Sequence, residues 1–214
     1  MIALQEVWKR FPGGPVVAEG LNAVFPKGQA TALLGRNGAG KSSLLAMIAG
    51  SLRADAGRVL RHGTVSWPVG FAGAFHPDLS GAQNTRFVAR VYGVDSRGLL
   101  NFVREVSGLD EAMRQPVRRY SSGMRARLGF AISMGIPFDM YLVDEVTAVG
   151  DAAFRRESSA LLKARLGQAG AIVVSHAPAQ LRGLCSAGAV LENGKLRMFD
   201  DLEAAISVYQ AAQA

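Results

Sequence analysis

The sequence predicts an α/β domain: a parallel-sheet core, preceded by an antiparallel β-subdomain and interrupted by a helical insertion over about residues 80–136. Three observations predict it. The apolar run Ala30 to Leu34 reads as a buried strand and passes through a glycine-rich turn into the breaker-poor run Ser43 to Ala49, giving strand, loop and helix. Two more short apolar runs, Met140 to Val143 and Ala171 to Val174, lack alternation, as strands covered on both faces do, and a helical pattern from about Ala152 to Arg165 separates them. Between about Ser80 and Met134 the pattern turns helical.

Taken in order, residues 1–28 alternate short apolar stretches with the turn residues Pro12-Gly13-Gly14-Pro15 and Pro26-Lys27-Gly28, which predicts short antiparallel strands. Gln29 to Leu34 is the strand that feeds the glycine-rich loop, and Gly57 to Trp67 reads as one or two further strands that end at Pro68-Val69-Gly70. The insertion reads as helices over Ala82 to Tyr92, Leu99 to Val106 and Met124 to Met134, and a short helix from Asp201 closes the chain. A chain of 214 residues buries a core without disulfides or a structural metal, so one compact domain is expected.

Composition excludes several classes. The single cysteine, Cys185, rules out an intrachain disulfide and reads as a small buried hydrophobe, and three scattered histidines give no zinc spacing. The N-terminus has no basic region followed by a long apolar core, and the longest uncharged apolar stretch, Leu128 to Phe138, is too short to cross a bilayer. A cytoplasmic protein is expected. The formal net charge of +7 points to an anionic neighbour or to an ordinary solvated surface, because the densest basic spots, Arg118-Arg119 and Arg125 with Arg127, carry no interleaved aromatics.

The loop carries the chemistry. Gly35, Arg36, Asn37, Gly38, Ala39, Gly40, Lys41 and Ser42 complete the pattern G-x-x-x-x-G-K-[ST], so the domain is expected to have a P-loop NTPase core. The glycines at 35, 38 and 40 admit backbone conformations that turn successive N–H groups towards a polyphosphate. Lys41 is expected to reach the β- and γ-phosphates, Ser42 to ligate Mg²⁺, and the helix opening at Ser43 to face the anion with its N-terminus. This chain is expected to bind a nucleoside triphosphate.

Three further segments join it. Asp144 and Glu145 end the strand from Met140, in a strand expected beside the one that feeds the loop; Asp144 suits Mg²⁺ and Glu145 suits polarising an attacking water, while two acids there also suit a cap on the next helix. His176 follows the strand ending at Val174 and is a candidate contact to the γ-phosphate or a structural histidine. Ser121, Ser122 and Gly123 open a helix and offer hydroxyls and N–H groups to a second anion, or form an ordinary cap.

Phosphate loop, helical insertion, serine-glycine segment, Asp-Glu strand and histidine, in this order and over essentially the whole chain, resemble the ATPase subunit of an ABC transporter. The resemblance implies ATP and Mg²⁺ as cofactors, and two copies paired head to tail, with each ATP between the phosphate loop of one and the signature segment of the other. Ser121, Ser122 and Gly123 would then face the γ-phosphate across a homodimer, Val149-Gly150-Asp151 would cross the interface, and Phe11 would stack on adenine. The sequence departs from the family pattern where Ser122 replaces the first signature glycine and Met124 its glutamine. His76 stands in the expected place of a metal-sensing glutamine and is assigned with Ser42 and Asp144 to the metal.

The segments Ser66 to Gly70, Arg86 to Arg90, Tyr120 to Met124 and Val143 to Asp151 look like the ATP-binding subunit of bacterial capsular-polysaccharide exporters, with O-antigen and teichoic acid exporters as the nearest relatives. That resemblance implies a peripheral protein on the cytoplasmic face of the inner membrane, a separately encoded integral permease and a polysaccharide cargo, with no nucleic acid expected. The segment Trp67 to Leu79, with Trp67, Phe71 and Phe75 among glycines and prolines, is the expected socket for the permease. Two rivals are a soluble ATPase of the same type acting on nucleic acid or the ribosome, and a small-molecule kinase built on a phosphate loop.

Overall fold

A computed structural model describes residues 1–14, 16–69, 75–144, 152–175 and 177–212. The chain divides into two compact units, one of Met1–Pro68, Phe138–Val146 and Lys163–Ala214, the other of Val69–Pro137 and Thr147–Leu162.

In the first unit, β1 (Ile2–Arg10), β2 (Val16–Phe25) and β4 (Ala56–Arg61) form an antiparallel sheet in the order β2-β1-β4. A larger sheet takes the order β5-β6-β7-β3-β8-β9, with β3 (Ala30–Leu34), β5 (Val65–Pro68), β6 (Met140–Asp144), β7 (Gly170–Val174) and β8 (Ala187–Glu192) parallel and β9 (Lys195–Phe199) antiparallel at one edge. Every residue of β3 and β7 is buried, which is why neither alternates. Helix α1 (Lys41–Ala49) packs on β5 and β6 of the larger sheet and on β2 and β4 of the smaller. Lying between two sheets, it buries Leu44, Leu45, Met47 and Ile48 around its circumference.

The expected position of the Asp144 strand needs correction. β6 does not lie beside β3, because β7 pairs with both and separates them. Since all three are parallel, their C-terminal ends open on one edge, and Asp144 still emerges on the side of the loop after β3. Helix α5 (Ala152–Leu166) lies between β6 and β7 along the chain, as expected, whereas the hairpin of β8 and β9 and the short helix α6 (Pro178–Leu184) carry no motif and had no counterpart among the expected elements. Cys185 caps α6 and is half-buried, and burial pushes its thiol up to about 12, so it remains protonated.

In the second unit, α2 (Gly81–Val91), α3 (Ser96–Ser107) and α4 (Ser122–Gly135) pack on one another, with 3-10 turns at Asp110–Arg114 and Val117–Arg119. Ser80 and Gln83 cap α2 reciprocally, at 3.2 and 2.8 Å. The buried amide of Asn84 donates to the carbonyls of His76, Leu79 and Ser80, each at 3.1 Å, and accepts the His76 N–H at 2.9 Å, so it staples the incoming chain to the helix. Three arginines of the basic spots find partners within the unit: Arg118 pairs with Asp78 at 2.5 Å, Arg125 donates to the Tyr120 carbonyl at 2.6 Å, and Arg127 lies 4.5 Å from the centroid of Phe154.

Trp67, expected to be exposed, is half-buried in the first unit and packs edge-on against Phe138, with centroids 5.5 Å apart. Phe71 lies outside the described residues.

Beside Phe138, Asp139 joins the sheets. It accepts from Lys27 Nζ at 2.5 Å, the Thr64 N–H at 3.0 Å and the Thr64 hydroxyl at 3.1 Å. The lysine ammonium first, then the Thr64 donors, hold its carboxyl down at about 2. A depressed carboxylate stabilises the fold above its ordinary value and loses that contribution as pH falls through the folded one. Because Lys27 is largely exposed, screening reduces the effect to about 1 kcal/mol. Asp139→Asn is therefore expected to lower stability by about 1 kcal/mol at pH 7. Urea titrations of both proteins check this: the gap narrows below about pH 4 and closes towards pH 2.

Candidate functional site

The loop after β3 is set by two close approaches. A Cβ on Gly35 would lie 2.5 Å from the Leu191 carbonyl oxygen of β8, so this glycine is required by contact with the neighbouring strand and not, as expected for all three, by a left-handed backbone. Gly40 is left-handed, with φ 99°, and a Cβ there would also meet Val17 Cγ1 at 2.5 Å; Gly38 is left-handed at φ 80°. A turn closed by the Ala39 N–H on the Arg36 carbonyl, at 3.1 Å, lies between them.

Helix α1 starts directly after Gly40. No side chain caps its N-terminus, and no acid stands in its first turn. The N–H groups there are the ready-made partners of an anion. At the other end Arg61 donates from Nε to the Ile48 carbonyl at 2.6 Å and from Nη2 to the Met47 carbonyl at 2.7 Å, placing positive charge against the last turn. Lys41 is buried, and its Nζ donates to the carbonyls of Gly35 at 2.6 Å and Arg36 at 3.1 Å, which holds the ammonium inside the loop.

One cavity of about 400 Å³ gathers Phe11, Asn37, Gly38, Gly40, Lys41, Ser42, Ser43 and Asp144 over Val17 and Val174. Its polar lining is a cation, two hydroxyls, one amide and one carboxylate. That donor set fits a triphosphate with Mg²⁺, which takes one or two protein oxygens and completes its shell from phosphate and water. Among the described residues no cluster of three or more acidic, histidine or cysteine side chains offers a cage for a metal by itself. Arg36 and Ala39 line depressions on the outer side of the loop.

Phe11 stands at the rim of the cavity, 38% exposed, its ring 5.3 Å from Lys9 Nζ. The same ammonium pairs with Asp55 at 2.7 Å and, with the Arg10 N–H, holds that carboxyl below the usual range. Lys9 therefore places the ring, a role carried by a largely buried strand lysine that no motif marks. Val17 and Val174, which form the floor, are equally unmarked.

Glu145, His176 and Val149-Gly150-Asp151 lie outside the described residues. Ser121 caps α4, accepting the Met124 N–H at 3.2 Å, and Ser122 is exposed in the first turn. A Cβ on Gly123 would meet only Ser121 Oγ, at 3.8 Å, so the second unit does not itself require glycine there. His76 belongs to the turn that Asn84 staples, and its Nδ1 accepts the Asp78 N–H at 3.3 Å.

The loop geometry predicts that Gly40→Ala weakens nucleotide binding at least tenfold and lowers the melting temperature, since a left-handed alanine costs about 1–2 kcal/mol before the clash with Val17. Calorimetric titration with ATP and a thermal melt measure the two effects.

Residues 18–148 match the family model described as ABC transporter. The chain is 39% identical to the ATP-binding protein BexA of Haemophilus influenzae, covering all of both chains, and 40% identical to the polysialic acid transport ATP-binding protein KpsT of Escherichia coli, covering 100% of this chain and 98% of that one. Its fold matches the solved structure of an ATP-binding subunit of an ABC transporter at a TM-score of 0.83, with 17% identity, over 99% of this chain and 98% of the other. The sequence similarity is continuous from end to end, and the chain belongs to the ABC transporter family, as an ABC-type ATPase.

Proposed function

We propose that the chain is the ATP-hydrolysing subunit of an exporter of lipid-linked capsular polysaccharide, acting as a homodimer beneath a separately encoded permease at the cytoplasmic face of a bacterial inner membrane. One observation carries the chemistry: Lys41 and Ser42 at the start of α1 and Asp144 at the end of β6, about a hundred residues later in the chain, open into one cavity. The cargo rests on end-to-end similarity to ATP-binding proteins named for polysialic acid transport and for capsule polysaccharide export. Among the described residues no helix is long and apolar enough to cross a membrane, in keeping with a peripheral role. An O-antigen or teichoic acid cargo is the second reading, and the glycan accumulated in a deletion strain separates the two.

In this reading Lys41 neutralises the β- and γ-phosphates, and Ser42 and Asp144 hold Mg²⁺, which supplies charge neutralisation across the phosphates. His76 is carried as a further metal contact. Glu145 accepts a proton from water as its oxygen attacks the γ-phosphorus and the bond to the β–γ bridging oxygen breaks. His176 contacts the γ-phosphate, Phe11 stacks on the base, and Ser121, Ser122 and Gly123 of a second copy close the site. The open surroundings of Gly123 support a role towards a partner, since nothing nearby in its own unit needs the space.

Lys41→Ala is expected to abolish hydrolysis and weaken ATP binding; undiminished turnover in a phosphate-release assay overturns the nucleotide site. Glu145→Gln should retain binding, slow hydrolysis by about 10² to 10⁴ and accumulate an ATP-bound dimer on size exclusion. Ser121→Arg should be inactive alone and regain partial activity when mixed with Lys41→Ala, because one composite site of the mixed dimer is intact. Full activity of Ser121→Arg by itself counts against action across a dimer.

A further inference from the structure

Two depressions flank the outer side of the phosphate loop. One, of about 610 Å³, has an apolar floor of Leu34, Leu181 and Ile206; the other, of about 410 Å³, runs along Gly35 to Ala39 and the end of β8. Among the described residues, three line both: Arg36, Asn37 and Tyr209. Tyr209 thus borders the same two spaces as the tip of the loop.

Tyr209 is carried on α7 (Leu202–Ala211), which is anchored through its N-terminal half. Asp201 caps it through the Ala204 N–H at 2.8 Å, and Glu203 takes a bidentate pair from Arg182 of α6 at 2.7 and 2.9 Å. Leu202, Ala205 and Ile206 are buried as the helix packs on β3, β8 and β9. Its approach to β8 is close enough that a Cβ on Gly188 would lie 2.3 Å from Ala205 Cβ. Tyr209 follows Ile206 by three positions and Ala205 by four, which places it on the same face, one turn beyond the sheet edge where β3 becomes the loop.

We infer that Tyr209 is a positioning residue of the nucleotide site, a wedge that restrains the loop tip at Arg36 and Asn37. The inference rests on the reading of the loop as an ATP site. Arg36, Asn37 and Gly38 are exposed, and the tip is bounded by glycines at 35, 38 and 40, so its freedom in the unbound chain is limited by what packs outside it. A loop already held near its bound shape loses less entropy when a phosphate docks. Removing the ring lowers affinity through the loop without removing a contact to the nucleotide.

The test measures the dissociation constant of a fluorescent ATP analogue with Mg²⁺ on the full chain, at protein concentrations that keep it monomeric, beside the melting temperature. Tyr209→Ala is expected to raise the dissociation constant about fivefold with little change in melting temperature, and Tyr209→Phe to restore it, since the ring and not the hydroxyl is the wedge. Where the alanine variant melts early, Tyr209→Leu, which keeps the packing on α7, gives the affinity readout. Arg36→Ala should weaken binding less in the Tyr209→Ala background than in the wild type, because the restraining ring is already gone. Wild-type affinity of Tyr209→Ala and Tyr209→Leu overturns the inference, as do strictly additive effects with Arg36→Ala or a defect that appears only in the dimer. Lys41→Ala serves as the reference: normal binding by that variant removes the nucleotide reading itself, whereas its loss with Tyr209→Ala unaffected removes only the wedge.

Discussion

The constraint on which the rest of the first unit depends is a helix N-terminus left uncapped at the edge of a parallel sheet. Helix α1 has no capping side chain and no acid in its first turn, and its other end is closed by Arg61 on the carbonyls of Met47 and Ile48. The helix is neutralised at one end and open at the other, and an anion completes it. Everything around that end serves the same need. Gly35 lets the chain leave β3 against β8, Gly40 turns it under Val17, and Lys41 is folded back onto the loop carbonyls.

Support reaches the loop from both sheets. The antiparallel sheet brings Phe11 to the rim through Lys9, which also pairs with Asp55, and Val17 to the floor. The parallel sheet brings Asp144 from two strands away, and α7 brings Tyr209 to the outside of the loop. The second unit is built by different means. Its entry turn hangs on the buried amide of Asn84 and the cap formed by Ser80 and Gln83, while α4 starts at Ser121 with its first turn exposed. Arg118, Arg125 and Arg127 meet Asp78, the Tyr120 carbonyl and Phe154 within the same unit.

Much of this was legible in the chain. The strand over Ala30–Leu34, the helices over Gly81–Val91, Ser96–Ser107 and Ser122–Gly135, and the strands ending at Asp144 and Val174 follow from apolar period and glycine spacing. What escaped were pieces whose signal is weak or shared. The β8–β9 hairpin and α6 have no motif, and Trp67, amid glycines and prolines, reads as exposed although Phe138, far along the chain, covers it. The placement of β6 next to β3 failed because strand order is a property of crossovers, and no residue in β6 records that β7 lies between.

By itself, the sequence determined the anion-binding loop, because the pattern from Gly35 to Ser42 encodes its own turn, cation and helix within eight residues. It also determined the family, through the order of short motifs along the chain. Only the tertiary structure decided which residues share the cavity and why each glycine is required. Gly35 answers to a carbonyl on β8, Lys9 to a carboxylate on another segment, and Tyr209 to the surroundings of a loop more than 170 residues earlier. The physical reason is range. Backbone preference and hydrophobic period act over a few residues and are written locally, whereas close approach and charge pairing act across strands whose neighbours are set only when the sheet is assembled.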